Sequence, residues 1–227
     1  IIDPHMMKNS EWGAVAYLSK SKYGKETEEV WINPNSNYIT GQAGSSVSAD
    51  YTTSTTDYKS TNGKKASTTG NTTGVYDMSG GAYEYVAAYV NNGHSNLTTN
   101  GANLVNAAAK YKDVYSVGSS DSAANNYAVA SSKYGDAMYE VSNSGTGSIS
   151  WYSDSSSFPS SSSPFFERGG VYNSGSGAGV FYFYFNYGSA VYNYGFRVVV
   201  PVLWYLAPCS LEFITNAIIY QVIIVLI

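Results

Sequence analysis

Five consecutive aromatic residues, Phe181-Tyr182-Phe183-Tyr184-Phe185, place phenylalanine and tyrosine on alternate positions. A helix would scatter these rings around its axis, whereas a strand sends successive side chains to opposite faces. The run therefore predicts a strand whose phenylalanine face enters a core and whose tyrosine face turns outward; Phe185 fits both patterns, and its facing stays open. The surrounding stretch, 171–195, holds six Tyr, three Phe and three Asn among Gly, Ser, Ala and Val. It contains no Lys, Glu, Asp, Arg, Gln, Met or Trp, so its specificity cannot come from charge. Tyr brings large rigid area with few torsions to freeze, and small polar residues bring adaptable hydrogen bonding, the mixture that binding loops favour. Arg168-Gly169-Gly170 before the stretch and Phe196–Val200 after it read as structural, with 195–200 a buried strand. The chain reads as a scaffold displaying one segment.

Composition supports this. At 227 residues the chain can bury a sizeable core as one large domain or two small ones. Charged residues are only 12%, against a usual ~25%, while 23 tyrosines bring the aromatic share to 15%. That balance suits a β-rich, loop-rich surface of extracellular type and is too aromatic for disorder. A net charge of −4 without a basic run argues against nucleic-acid binding. The single Cys209 excludes an intramolecular disulfide framework.

Residues 1–6 resemble a linker or tag scar and are set aside from fold reasoning. Residues 201–227 form a hydrophobic tail in which Glu212 is the only charge. Its uninterrupted part, 217–227, is shorter than the ~20 residues a spanning helix needs. A membrane anchor, an extra strand and read-through all stay open for this tail. As an exposed segment it would favour aggregation.

Between these ends, 8–18 predicts a short helix capped by Asn9 or Ser10, with Trp12, Val15 and Ala16 on one face and a stop at Gly24. Val30–Ile32 reads as a short strand and Asn33–Ser36 as a turn. Residues 41–74 read as long loop, and 74–90 as buried strand around a Ser79-Gly80-Gly81 turn. The spans 91–101 and 119–126 read as loop, 102–110 as a second short helix, and 133–141 as helix or turn. Trp151, Tyr152 and Phe158 mark 142–163 as an ordered, pinned loop. The fold class is α+β: small antiparallel sheets, two short helices and extensive ordered loop.

Three separated pieces coincide with one family. Asn9-Ser10-Glu11-Trp12 resembles an "AEWEYAAR"-type helix start. Residues 70–86, GNTTGVYDMSGGAYEYV, are similar to a "GN-xx-GLYDMSGNVWEWV" signature. Arg168-Gly169-Gly170 with Gly195-Phe196-Arg197 matches an "RGGS…GFR" ending. The resemblance, over residues 7–200, is to the formylglycine-generating-enzyme-like branch of the C-type lectin fold. Within that branch the chain looks most like variable proteins of diversity-generating retroelements in gut bacteria and their phages. There, adenine-directed mutagenesis rewrites AAY-type codons between RGG and GFR. Changing the first two bases of such codons never yields Lys, Glu, Gln, Met or Trp, and 171–195 contains none of these.

The resemblance implies a ligand-binding display protein on a bacterial cell surface or a phage virion, recognising a protein or glycan. The expected variable, ligand-contacting positions are Val171, Tyr172, Asn173, Ser174, Gly177, Tyr182, Tyr184, Phe185, Asn186, Tyr187, Ser189, Val191, Tyr192, Asn193 and Tyr194. Gly175, Ser176, Ala178, Gly179, Phe181, Phe183, Gly188 and Ala190 suit turns and core. Trp12, Glu84, Arg168 and Arg197 are the expected anchors, the arginines acting through charge-assisted hydrogen bonds. The family position of Glu84 also makes it a candidate calcium ligand, the alternative being a carboxylate that satisfies backbone donors or Arg168. Asp77 reads as a turn or hydrogen-bonding residue. No other cofactor is expected. Catalysis is not expected either: the enzymes of this branch use a cysteine pair or a histidine cluster, and only Cys209, His5 and His94 are present. The alternative from another class is a structural subunit of a pilus-like or phage appendage, with the tyrosine patch serving assembly.

Overall fold

A computed structural model describes residues 3–53, 56–203 and 220–226. Its regular elements are β1 (His5–Met6), α1 (Asn9–Ser19), β2 (Tyr83–Val90), α2 (Asn96–Thr99), α3 (Ala102–Asn106), β3 (Asp113–Tyr115), α4 (Ala123–Ala130), β4 (Ser148–Ile149), β5 (Ser155–Ser156), β6 (Phe165–Gly169), β7 (Gly179–Asn186), β8 (Tyr194–Leu203) and β9 (Tyr220–Leu226). The strands form one nine-stranded sheet in the order β1-β8-β2-β6-β7-β5-β4, with β3 added on β2 and β9 on β8. The class is α+β.

The centre of the sheet is β8-β2-β6-β7. Glu84 lies opposite Arg168 and Tyr85 opposite Glu167, while Glu167 in turn faces Tyr184 and Arg168 faces Phe183. Tyr83 pairs with Tyr194 on the neighbouring parallel strand. Period-two alternation then divides the side chains. One face carries Phe166, Arg168, Phe181 and Phe183 into the main core, together with Met7, Trp12, Met78, Tyr115 and Phe158. The other carries Tyr83, Tyr85, Glu167, Tyr182, Tyr184 and Tyr194.

Helix α1 covers the core face. Asn9, Trp12, Gly13, Ala16 and Ser19 are its buried residues, a stripe at helical spacing. Gly13 is required for close approach, since a Cβ there would lie 2.2 Å from the Gly135 carbonyl oxygen. Neither expected cap serves as one. The Lys8 N–H donates to the Glu11 carboxylate at 2.9 Å, while Asn9 and Ser10 lie inside the helix. The Asn9 side chain is engaged elsewhere, accepting from Arg168.

Several expectations are corrected. The sheet is single and mixed, with parallel pairings of β2 to β8, β2 to β3 and β5 to β7. Four helices occur among the described residues, not two. Helix α4 spans part of the expected loop at 119–126, and the Ser122 hydroxyl caps it by accepting from the Asn125 N–H. Helix α2 likewise falls in the expected loop at 91–101, and the second expected helix ends at Asn106. Val30–Ile32 is not a strand, because its backbone bonds irregularly: the Trp31 N–H to Lys65 and the Ile32 carbonyl to Gly44. Of residues 195–200 only Arg197 and Val199 are buried, and Phe196 is exposed, because this part of the strand covers the core with one face alone.

At the ends, His5 and Met6 join the sheet by pairing with Val199 and Val198. Residues 220–226 pair antiparallel with β8. Cys209, Glu212 and the rest of 204–219 lie outside the described residues. No helix among the described residues is long and apolar enough to cross a membrane.

Asp136, a titrating group in the core, has a legible consequence for stability. Asp136 is buried, accepting from the Tyr115 hydroxyl at 2.8 Å and the Met138 N–H at 3.2 Å. Burial pushes its carboxyl up to about 6, with Glu140 adding to the rise and Tyr115 and Arg168 opposing it. A carboxyl raised in the folded state binds its proton more tightly there than in the unfolded chain. Its contribution to stability is complete below the usual aspartate range and is lost as pH rises through about 6. Asp136→Asn should therefore flatten the decline of the melting temperature with pH between about 4 and 7, on the order of 2–3 kcal/mol in all.

Candidate functional site

The Glu84 carboxylate receives two hydrogen bonds from Arg197, through Nε and Nη2, in a buried bidentate pair. The same guanidinium donates to the backbone carbonyls of Tyr76 at 3.2 Å and Asp77 at 3.1 Å. Arg168 donates to Asn9 and to the carbonyls of Asp136 and Ala137. Both guanidinium groups lie over the Trp12 ring, Arg168 at 5.6 Å and Arg197 at 5.1 Å, and Trp12 Nε1 donates to the Val180 carbonyl at 2.8 Å. The four expected anchors thus form one buried unit. The partner of Glu84 is Arg197, not the cross-strand Arg168, whose guanidinium is turned to Asn9 and the carbonyls of Asp136 and Ala137. Both Glu84 oxygens are bonded to Arg197, and no group of three or more acidic, His or Cys side chains suited to a metal occurs among the described residues.

Asp77 holds the adjoining turn, accepting from Asn33 Nδ2 at 2.7 Å and from the Gly41 N–H. Gly80 and Gly81 both take positive φ there. A Cβ on Gly80 would meet Ile32 Cγ1 at 2.4 Å, so glycine is the residue this turn accepts. The Gly81 carbonyl accepts from the Tyr172 N–H, and the Asn193 carbonyl from the Tyr83 N–H. These bonds tie both ends of 171–195 to the frame.

The expected binding positions divide by burial. Asn173, Phe185, Tyr187, Val191 and Tyr192 are exposed; Tyr172, Ser174, Gly177, Tyr184, Ser189, Asn193 and Tyr194 are half-buried. Val171, Tyr182 and Asn186 are buried, which corrects their placement on the surface. Val171 begins a turn closed by Ser174, Tyr182 is covered by Tyr83 and Tyr184, and Asn186 is held between Glu167 and Tyr85. Phe185 turns outward and its ring stacks on Tyr184 at 4.6 Å. Among the expected frame positions Ser176 and Ala190 are exposed, and the other six lie in turns or core.

Tyrosines from outside the segment complete the surface. Tyr38 packs edge-on against Tyr172 and Tyr192, and Tyr51 tilts against Tyr172. Tyr194 stacks between Tyr83 and Tyr85, each at 5.1 Å. A cleft of about 500 Å³ opens within this array, walled by Tyr83, Tyr182, Tyr184, Phe185 and Tyr194, with Glu167 and Asn186 at its base. A smaller cavity of about 290 Å³ adjoins it across Tyr194, against Tyr38 and Tyr192. A larger one, about 630 Å³, lies away from it between β1, β2 and α3. That cavity is mainly apolar and lined by only one charged or titrating group other than tyrosine, His5, whose Nε2 is bonded to Glu11.

Glu167 was not among the expected site residues. It is 3% exposed and accepts from the Tyr182 hydroxyl at 3.0 Å and Asn186 Nδ2 at 2.8 Å. Its one sequence signal is a lone acid on the same strand face as Phe165 and Gly169, beside the Arg168 that points the other way. His94 lies in a half-buried turn, where its Nδ1 accepts from the Asn96 N–H. Comparisons with protein-family models, with curated proteins and with solved structures find no match to this chain.

Proposed function

We propose that the chain is a ligand-binding display protein, a retroelement-diversified receptor or adhesin on the formylglycine-generating-enzyme-like branch of the C-type lectin fold. Its segment 171–195 recognises a protein or glycan on the outer face of a bacterial cell or on a phage virion. One observation carries this reading. Tyr172, Tyr192 and Tyr194 of the segment pack against Tyr38, Tyr51, Tyr83 and Tyr85 in one tyrosine array, while the flanking arginines are wholly buried behind it. A surface so arranged can exchange its side chains without disturbing the frame. The reading is one of binding, because the array supplies stacking area and hydroxyls.

Sequencing the gene from many cells of one population tests the diversification. Differences should concentrate at Tyr172, Asn173, Tyr184, Tyr187, Val191, Tyr192 and Asn193, spare Trp12, Glu84, Arg168 and Arg197, and never introduce Lys, Glu, Gln, Met or Trp. Differences spread evenly along the gene would overturn the proposal.

A further inference from the structure

We propose that the cleft over Glu167 takes an organic ammonium group, so that the ligand of this surface carries an amine cation held by one carboxylate and a ring of tyrosines. The inference rests on the display reading above and assigns the chemistry at its floor. Glu167 is a buried carboxylate with no ion-pair partner within 4 Å among the described residues, unlike Glu84 on the opposite face, which is matched by Arg197. A carboxylate withdrawn from water and left unmatched is costly. Burial pushes the Glu167 carboxyl up, opposed by hydrogen bonds alone and by no neighbouring cation.

What surrounds it suits a cation. The rings of Tyr83 and Tyr182 lie 6.2 Å apart, Tyr182 and Tyr184 6.0 Å, and Tyr83 and Tyr194 5.1 Å. Ring faces attract ammonium groups electrostatically, most strongly where water is excluded. The Glu167 carboxylate accepts from Tyr182, Asn186 and Tyr194, fewer bonds than its two oxygens can take, which leaves a lone pair for an N–H donor. An anion would meet the Glu167 charge, and a neutral group would leave it uncompensated. Glu167, Tyr83 and Tyr85 lie outside 171–195, so the demand for a cation belongs to the frame and persists through changes in the segment.

The test uses the whole chain with n-butylammonium, n-butyltrimethylammonium, n-butanol and butyrate as probes, followed by tyrosine fluorescence and by NMR. At least one of the two cations should bind saturably, about tenfold tighter than butanol, with butyrate showing no binding. Preference for the primary amine marks a lysine-like group, and preference for the quaternary amine a methylated one; either supports the proposal. Glu167→Gln should remove that tenfold margin while near-ultraviolet circular dichroism shows an intact fold. If Glu167→Gln does not fold, Tyr184→Leu, on the half-exposed rim, should weaken the cation and not the alcohol. Equal binding of butanol, binding of neither cation, or a folded variant that retains the margin would sink the ammonium site. These results leave the population sequencing untouched, so failure of the ligand class and failure of the display reading remain separable.

Discussion

Arg197→Met is expected to destabilise the protein by about 3–5 kcal/mol, a fall of roughly 6–20 °C in melting temperature. The reason is not the loss of an attractive pair as such. Removing Arg197 leaves Glu84 buried and uncompensated, and strips the carbonyls of Tyr76 and Asp77 of their donors. The double variant Glu84→Leu with Arg197→Met removes both charges and should be less damaged than Arg197→Met alone. Thermal unfolding of the three proteins measures this directly. If the double variant is the least stable, desolvation is not what governs the pair. The damage should also spread forward, because Tyr83 and Tyr85 flank Glu84 on β2 and form the back wall of the tyrosine array.

How much of this was readable beforehand depends on where the physics is local. Alternation at 181–185 correctly sent Phe181 and Phe183 inward, because period two is a property of the strand itself. It did not reveal that Tyr182 would be covered or that Phe185 would turn outward, since both depend on which rings β2 contributes and where β7 leaves the sheet. Helix α1 was legible from Trp12, Val15 and Ala16, and its start was not, because Asn9 serves Arg168 rather than the helix end. Helix α4 was hidden by Asn126. That buried residue bonds the Gly118 N–H, Asp121 and the Pro159 carbonyl, so a polar side chain occupies a core-facing position. The pairing of Glu84 with Arg197, and the place of Glu167 among the tyrosines, are not legible in the sequence for one reason. Which charge meets which depends on strand order and on where each guanidinium turns, since Glu84 lies beside both β6 and β8, and one-dimensional spacing contains neither.

The consequence for function is a division of labour across one sheet. Its inner face carries two arginines and one glutamate about a single tryptophan, and its outer face carries tyrosines about a single glutamate. On the inner face Glu84 and Arg197 pair with each other. The outer carboxylate has hydrogen bonds but no ion-pair partner within 4 Å among the described residues, which is why the outer face is the one expected to seek a partner.

Trp12→Ala tests whether the inner unit is one object. Trp12 is fully buried, and truncation leaves a cavity beneath both guanidinium groups and an unbonded Val180 carbonyl, which together should cost about 3–5 kcal/mol. Trp12→Phe keeps a ring between Arg168 and Arg197 and forfeits the Nε1 bond, so it should cost only about 1–3 kcal/mol. If the ring couples the two arginines, Trp12→Ala and Arg197→Met combined should destabilise by less than the sum of the two single changes, because each already dismantles the same contact. Additive losses in chemical denaturation would mean that Trp12 merely fills space and that the two arginines hold the segment independently. Val180 leads directly into Phe181 and Tyr182, so a coupled unit also predicts that Trp12→Ala loosens the floor of the tyrosine cleft, seen as faster amide exchange at Phe181–Phe183.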